Sequence, residues 1–206
     1  MKDVARALSP LGLMILALLG EGDMHPYEMI RLMRQRRDER LVTITNGTVY
    51  HTVGRLERAG LLAEVGIDRE GNRPERTTYT QTADGRAAVV DWVRRELARI
   101  DRPAEFRVAL AEAHNLERHE VVALLRGRAE ALAERRSDLA AALHSAHSRG
   151  VPAQYLIEAE RELALLGSDL EWLDSLHVRL AQDDFPWGAP DVPSARYLED
   201  RKAARR

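Results

Sequence analysis

Apolar residues recur along this chain at two spacings, and the change between them divides the sequence. Leu11, Met14, Ile15, Leu18 and Leu19 follow the three-and-four step of a helix face. Ser9 and Pro10 suit its N-cap and first position, and Gly20 and Gly22 suit its end. A second helix is expected from Pro26, carrying Tyr27, Ile30, Leu32 and Met33 into the cluster Arg34, Arg36, Arg37 and Arg40. The β-branched stretch 41–45 leads to Asn46-Gly47, a turn or an N-cap. A third helix follows with Val49, Val53 and Leu56 on one face, closing at Ala59-Gly60. The period then shortens. Residues 61–67 and 77–81, the latter alternating around Tyr79, read as two strands joined by a loop holding Gly71, Asn72 and Pro74. Thr82 suits the cap of a further helix bearing Ala87, Val90, Val93 and Leu97.

The second half is helical throughout. Val122, Leu125, Ala129, Leu132, Arg136, Leu139 and Leu143 form one seam. Leu156, Ala159, Leu163, Leu166, Leu170, Leu173, His177 and Leu180 form another. Gly150-Val151-Pro152 separates them, so an antiparallel helical hairpin is the simplest reading. Such a hairpin leaves apolar surface for a second copy of the chain, and Leu163, Leu166, Leu170, Leu173 and Leu180 are the expected dimer interface. Arg136 and His177 interrupt the seams and are candidates for fixing register. Residues 186–206, with Pro186, Pro190 and Pro193, read as a tail at most partly ordered.

The expected fold class is therefore mainly α: an N-terminal winged helix-turn-helix of three helices and a two-stranded β-wing, then a C-terminal α-helical dimerisation domain. The boundaries read as 1–86, 87–185 and 186–206.

Composition sharpens this picture in three ways. Hydrophobic residues make up 45% of the chain, enough for a packed core, and no cysteine is present, which excludes disulfides and thiolate metal sites and fits a reducing cytoplasm. The apolar run 11–19 is too short to span a bilayer, so no membrane partner is expected. The net charge of −2 argues against indiscriminate binding of polyanions, yet residues 31–76 carry ten Arg against seven Asp and Glu. Nucleic-acid binding, if present, belongs to that segment.

In a helix-turn-helix the second helix of the motif enters the major groove. Here that helix would expose Asn46, Gly47, Thr48, Tyr50, His51, Thr52, Arg55 and Arg58, and its first amides could hold a phosphate. The wing offers Arg69, Asn72, Arg73 and Arg76, offset by Asp68, Glu70 and Glu75. Trp92, Phe106 and Trp172 are rare bulky aromatics in a Leu/Ala background and could line an effector pocket. His114 with His119, and His144 with His147, lack a third ligand, so no metal and no cofactor are expected. There is no Gly-rich phosphate loop, serine elbow or carboxylate pair beside a His, and an enzyme is not expected. The rival reading is a winged-helix protein-interaction module without DNA.

These residues resemble the PadR family of bacterial regulators. The resemblance lies in Ser9-Pro10-Leu11-Gly12, His25-Pro26-Tyr27-Glu28, Gly47-Thr48-Val49-Tyr50-His51, Arg55-Leu56-Glu57-Arg58-Ala59-Gly60-Leu61-Leu62 and Tyr79-Thr80-Gln81-Thr82-Ala83-Asp84-Gly85. Two positions depart from the family pattern: Pro26 stands for the usual Gly, and His51 where Pro is common. The resemblance implies a homodimeric repressor on a palindromic operator of double-stranded DNA. It also implies C-terminal helices clasped between subunits and, as in some members, release by a small aromatic or lipophilic effector.

Overall fold

The computed structural model describes residues 8–68, 76–188 and 195–205. Helix α1 (Pro10–Gly20) begins where Ser9 Oγ accepts the Gly12 amide. Its residues are apolar on all sides, so it is buried all round rather than along one stripe. Helix α2 (Pro26–Gln35) is capped by His25, whose Nδ1 accepts the Tyr27 amide. A single 3-10 turn at Asp38–Arg40 leads to helix α3 (Asn46–Arg58). Strands β1 (Leu62–Asp68) and β2 (Arg76–Gln81) pair antiparallel, Leu62 opposite Gln81 and Glu64 opposite Tyr79, with a bulge between Glu64 and Gly66.

Helix α4 (Ala83–Ala98) starts at a Thr82 cap that is itself anchored, because the Thr82 hydroxyl donates to Gly60 O and accepts the Gly85 amide. A Cβ at Gly85 would sit 2.0 Å from Leu61 O, so only glycine lets α4 pass the start of β1. Helix α5 (Pro103–Ala111) and a 3-10 turn (Ala113–Asn115) precede helix α6 (Arg118–Ser148), which folds back through a second 3-10 turn (Ala153–Tyr155) into helix α7 (Ile157–Leu180). Helix α8 (Ala195–Arg205) comes last.

A three-helix unit with a β-hairpin wing, followed by a long helical hairpin, is the architecture expected from the sequence. The core is continuous between the two parts, since α4 packs on α1, α5 and α6 at once. Trp92, Val93 and Leu97 bury one side of α4, and the Trp92 indole N–H donates to Leu8 O at 3.0 Å. The expected boundary after residue 86 thus falls inside one unbroken helix.

The two seams face each other within this chain. Leu125 and Leu132 of α6 are buried with Leu166, Leu173 and Leu180 of α7, and Leu163 and Leu170 pack at their margins. Of the five leucines expected at a dimer interface, Leu166, Leu173 and Leu180 are buried within the hairpin, and Leu163 and Leu170 are half-buried. A helix presents one continuous apolar stripe, and the nearest helix of the same chain covers it first. Arg136 is exposed, outside the packed seam, whereas His177 is half-buried. Residues 195–205 are a helix docked on α2, where the sequence suggested only a tail.

Candidate nucleic-acid interface

The exposed row of α3 begins with its cap. Thr45 Oγ1 accepts the Thr48 amide at 3.1 Å, and the Thr48 hydroxyl accepts the Thr45 amide at 3.0 Å and donates to Thr45 O. This reciprocal box makes Thr45 the N-cap; Asn46-Gly47, read from the sequence as turn or cap, are already helical. The first backbone bond inside the helix runs from Val49 to Thr45 O, so the amides of Asn46 and Gly47 lie ahead of the ladder. They are the donors available to an anion.

Val49, Thr52, Val53 and Leu56 are buried, and Asn46, Gly47, Thr48, Tyr50, His51, Arg55 and Arg58 are exposed. Thr52 is the correction. Its three-and-four spacing with Val49 and Leu56 places it inward, and its methyl lies 3.6 Å from where a Gly12 Cβ would be. Polarity suggested the outer face; helix phase decides against it. Arg55 donates to Ser9 Oγ at 3.1 Å, and Arg58 Nε donates to Gly54 O at 3.0 Å, so both guanidinium groups rest on their own chain.

Residues beyond the expected set join this face. The His25 ring meets Tyr50 edge-on at 6.2 Å, and the Arg31 guanidinium lies 5.7 Å from the ring of exposed Tyr27. The start of α2 and the middle of α3 thus form one surface of aromatic and cationic groups. The sequence signal was present in His25-Pro26-Tyr27-Glu28, which looked like a helix start and not like a surface.

The wing is tied to the same place. Met24 and Tyr79 exchange both backbone bonds, at 3.1 and 3.0 Å. The Tyr79 phenol is pushed above its ordinary pKa by burial, reinforced by Glu57, Glu64 and Tyr50, and stays neutral at physiological pH. Arg69, Asn72 and Arg73 lie outside the described residues, and Arg76 opens β2 without a described side chain.

Of the three aromatics proposed for an effector site, Trp92 and Phe106 belong to one core and Trp172 does not. Trp92 is buried in the common core. Phe106 is half-buried, and the Arg128 guanidinium stacks on it with its carbon 3.5 Å from the ring centroid. Trp172 stands 40% exposed on α7. Arg128 is itself buried and donates to Arg99 O, while its Nε has no hydrogen-bond partner. Among the described residues, no group of three or more His, Cys, Asp or Glu is placed to hold a metal ion, and no helix is long and apolar enough to cross a membrane.

Comparison with known proteins gives a family match over residues 15–91, to the model described as the transcriptional regulator PadR-like family. Among solved structures, PadR of Bacillus subtilis in complex with operator DNA is 19% identical, over 82% of this chain and 98% of that one, with a TM-score of 0.38. A transcriptional regulator from Clostridium thermocellum is 32% identical over 44% of this chain and 82% of its own, with a TM-score of 0.34. A PadR-like transcriptional regulator from Bacillus cereus is 15% identical over 82% and 97%, with a TM-score of 0.36. No curated protein matches the chain.

Proposed function

This chain belongs, through residues 15–91, to the transcriptional regulator PadR-like family, and we propose that it is a homodimeric repressor whose α3 reads the major groove of a palindromic operator. Family membership makes it a transcriptional regulator and not an enzyme. The observation that carries DNA binding is the outer row of α3. Two amides ahead of the helical ladder, Tyr50, His51, Arg55 and Arg58 share one exposed face over a buried Val49–Leu56 stripe. These groups can donate to phosphates and to the acceptor edges of purines. Arg69, Asn72, Arg73 and Arg76 of the wing would add backbone contacts beside it.

Two such helices on one duplex face need a spacing of roughly 34 Å, which requires a dimer. The outer side of α7 supports this, because Ile157, Leu165 and Trp172 are exposed there although the inner seam is filled. For release, the interior around Trp92 and Phe106 is the favoured site of a small aromatic or lipophilic effector. It lies where α4 and α5 meet the long hairpin, and the Arg128 Nε beside Phe106 is a free donor for such a ligand.

The test is a gel shift on the DNA upstream of the protein's own coding region at several salt concentrations. Binding that weakens steeply with salt is expected, since phosphate neutralisation releases counterions. No shift with any upstream DNA overturns the proposal in favour of a protein-binding winged helix. Following the Trp emission and operator release across a panel of aromatic compounds tests the effector arm.

A further inference from the structure

The loop between α1 and α2 is the meeting point of everything that reads DNA in the preceding account, and α8 grips it. Met24 of this loop is bonded to Tyr79 of the wing, and His25 caps α2 and touches Tyr50 of α3. On the other side, Arg201 of α8 donates to Asp23 O at 2.8 Å and to Glu28 Oε1 at 3.2 Å. Both partners of that ion pair are largely covered, with side-chain exposures of 15% and 7%. Tyr197 OH donates to Glu21 O, and its ring lies 5.7 Å beneath the Arg36 guanidinium, which holds Glu21 through two bonds of 2.7 Å. Gln35 donates to Asp200, and Ala204 is 1% exposed against the core. At Gly22, with φ of +139°, a Cβ would sit 2.7 Å from an Arg201 nitrogen, so the backbone here is shaped to admit that guanidinium.

We propose that α8 is a clamp on the DNA-binding unit and that Arg201 is a positioning residue for operator recognition, acting through the Gly22–Met24 loop. The inference rests on the DNA-binding reading above. An ion pair covered on both sides adds little net stability but is costly in any other register, so it selects one arrangement of its surroundings. The arrangement selected here is that of the loop. From it, the wing is set by the Met24–Tyr79 bonds and the α3 face by the His25–Tyr50 contact. With α8 displaced, Glu28 and Asp23 O return to water. The loop loses its outer hold while α1, α3 and α4 keep their core.

The test compares the full chain with a version ending at Gly188 and with Arg201→Ala, reading hydrogen exchange, operator affinity and Trp emission. Trp emission together with continued exchange protection of α4, which carries the buried Trp92, reports that each variant is folded. Exchange at residues 21–36 should quicken in both variants while α6 and α7 stay protected. Operator affinity should fall by about tenfold, the scale of coupling carried by packed networks. A peptide of residues 195–205 added to the shortened chain should restore much of that loss, which a merely general destabilisation would not allow. Parent-like exchange in the shortened chain overturns the clamp. Faster exchange with unchanged operator affinity overturns the positioning role. If the full chain binds no DNA, the functional reading itself fails and Arg201 loses this role with it. The exchange result still tells that failure apart from an absent clamp.

Discussion

Two glycines in the outward row of α3 make the most direct test of whether something approaches it. Gly47, His51, Gly54 and Arg58 follow one another at steps of three and four along α3, with Gly54 half-buried and the other three exposed. A Cβ at Gly47 or Gly54 would meet nothing within 4 Å. The protein's own packing therefore gives no reason for glycine at either place. Each costs the isolated helix stability: about 1 kcal/mol at Gly54 in the interior, and about 0.5 kcal/mol at Gly47 near the start. Gly54→Ala should raise the melting temperature by roughly 2–4 °C for a chain of this size, and Gly47→Ala by about half as much. If the row faces a DNA backbone, the added methyl groups stand where phosphates and sugars must come close, and operator affinity should fall by about tenfold for each. Gly127→Ala is the control, because Gly127 is exposed in α6 and also open around its Cβ. It should gain similar stability and keep parent affinity. Circular dichroism melts and fluorescence anisotropy with labelled operator at fixed salt supply the two readouts. Stabilised Gly47→Ala and Gly54→Ala variants that bind like the parent would refute the reasoning.

Other expectations follow from packing and charge. Leu56→Ala should cost about 2–5 kcal/mol and lower the melting temperature, since Leu56 is 3% exposed beneath the outer face of α3; a melt within a degree of the parent would deny it a core role. Glu112→Gln should stabilise the protein at neutral pH. Burial raises the Glu112 carboxyl above its ordinary pKa despite opposing effects of His114 and Asn115, so the folded state holds this proton more tightly than the unfolded chain. The gain should shrink as pH falls into the ordinary carboxylate range, and a gain independent of pH would contradict it. Trp172→Glu should shift sedimentation from dimer to monomer while leaving the melt of the isolated chain nearly unchanged, because Trp172 is 40% exposed and outside the inner seam; an unaltered dimer would move the interface elsewhere.

What the sequence made legible was local. The Val49–Val53–Leu56 stripe, the Thr82 cap and the leucines of the facing α6 and α7 seams are each set by neighbours three or four residues away and appear where the sequence put them, Arg136 of the α6 seam excepted. Thr52 was misplaced because a hydroxyl says less about facing than its phase on the helix does. For the dimer leucines the periodicity said only that a seam will be covered; within the chain Leu166, Leu173 and Leu180 are covered by the hairpin, while Leu163 and Leu170 are half-buried. The clamp was illegible because Arg201 and Glu28 lie 173 residues apart, and no local pattern distinguishes that Arg from a solvated one. His25 and Tyr27 were visible as a helix start; only the approach of α2 to α3 turns them into part of a surface.

The arginines of α3 raise a question that magnitudes can answer. In the free protein Arg55 is held by Ser9 and Arg58 by Gly54 O, both neutral oxygens at ordinary distances. Each such bond is worth about 0.5–1.5 kcal/mol net, whereas a hydrogen bond to a charged partner is worth about 1.5–3 kcal/mol. A phosphate brought to α3 by a bound duplex would therefore outcompete both resting partners. The neutral partners meanwhile hold the Arg58 guanidinium along α3 and the Arg55 guanidinium at the start of α1, which lowers the rotamer entropy still to be lost on binding. Thr48 is the contrast. Its hydroxyl already closes the capping box in both directions, so redirecting it to a base would open the start of the helix that presents it. On the DNA-binding reading proposed above, Arg55 and Arg58 would change partners on binding, and Thr48 would act by holding the Asn46 and Gly47 amides in place.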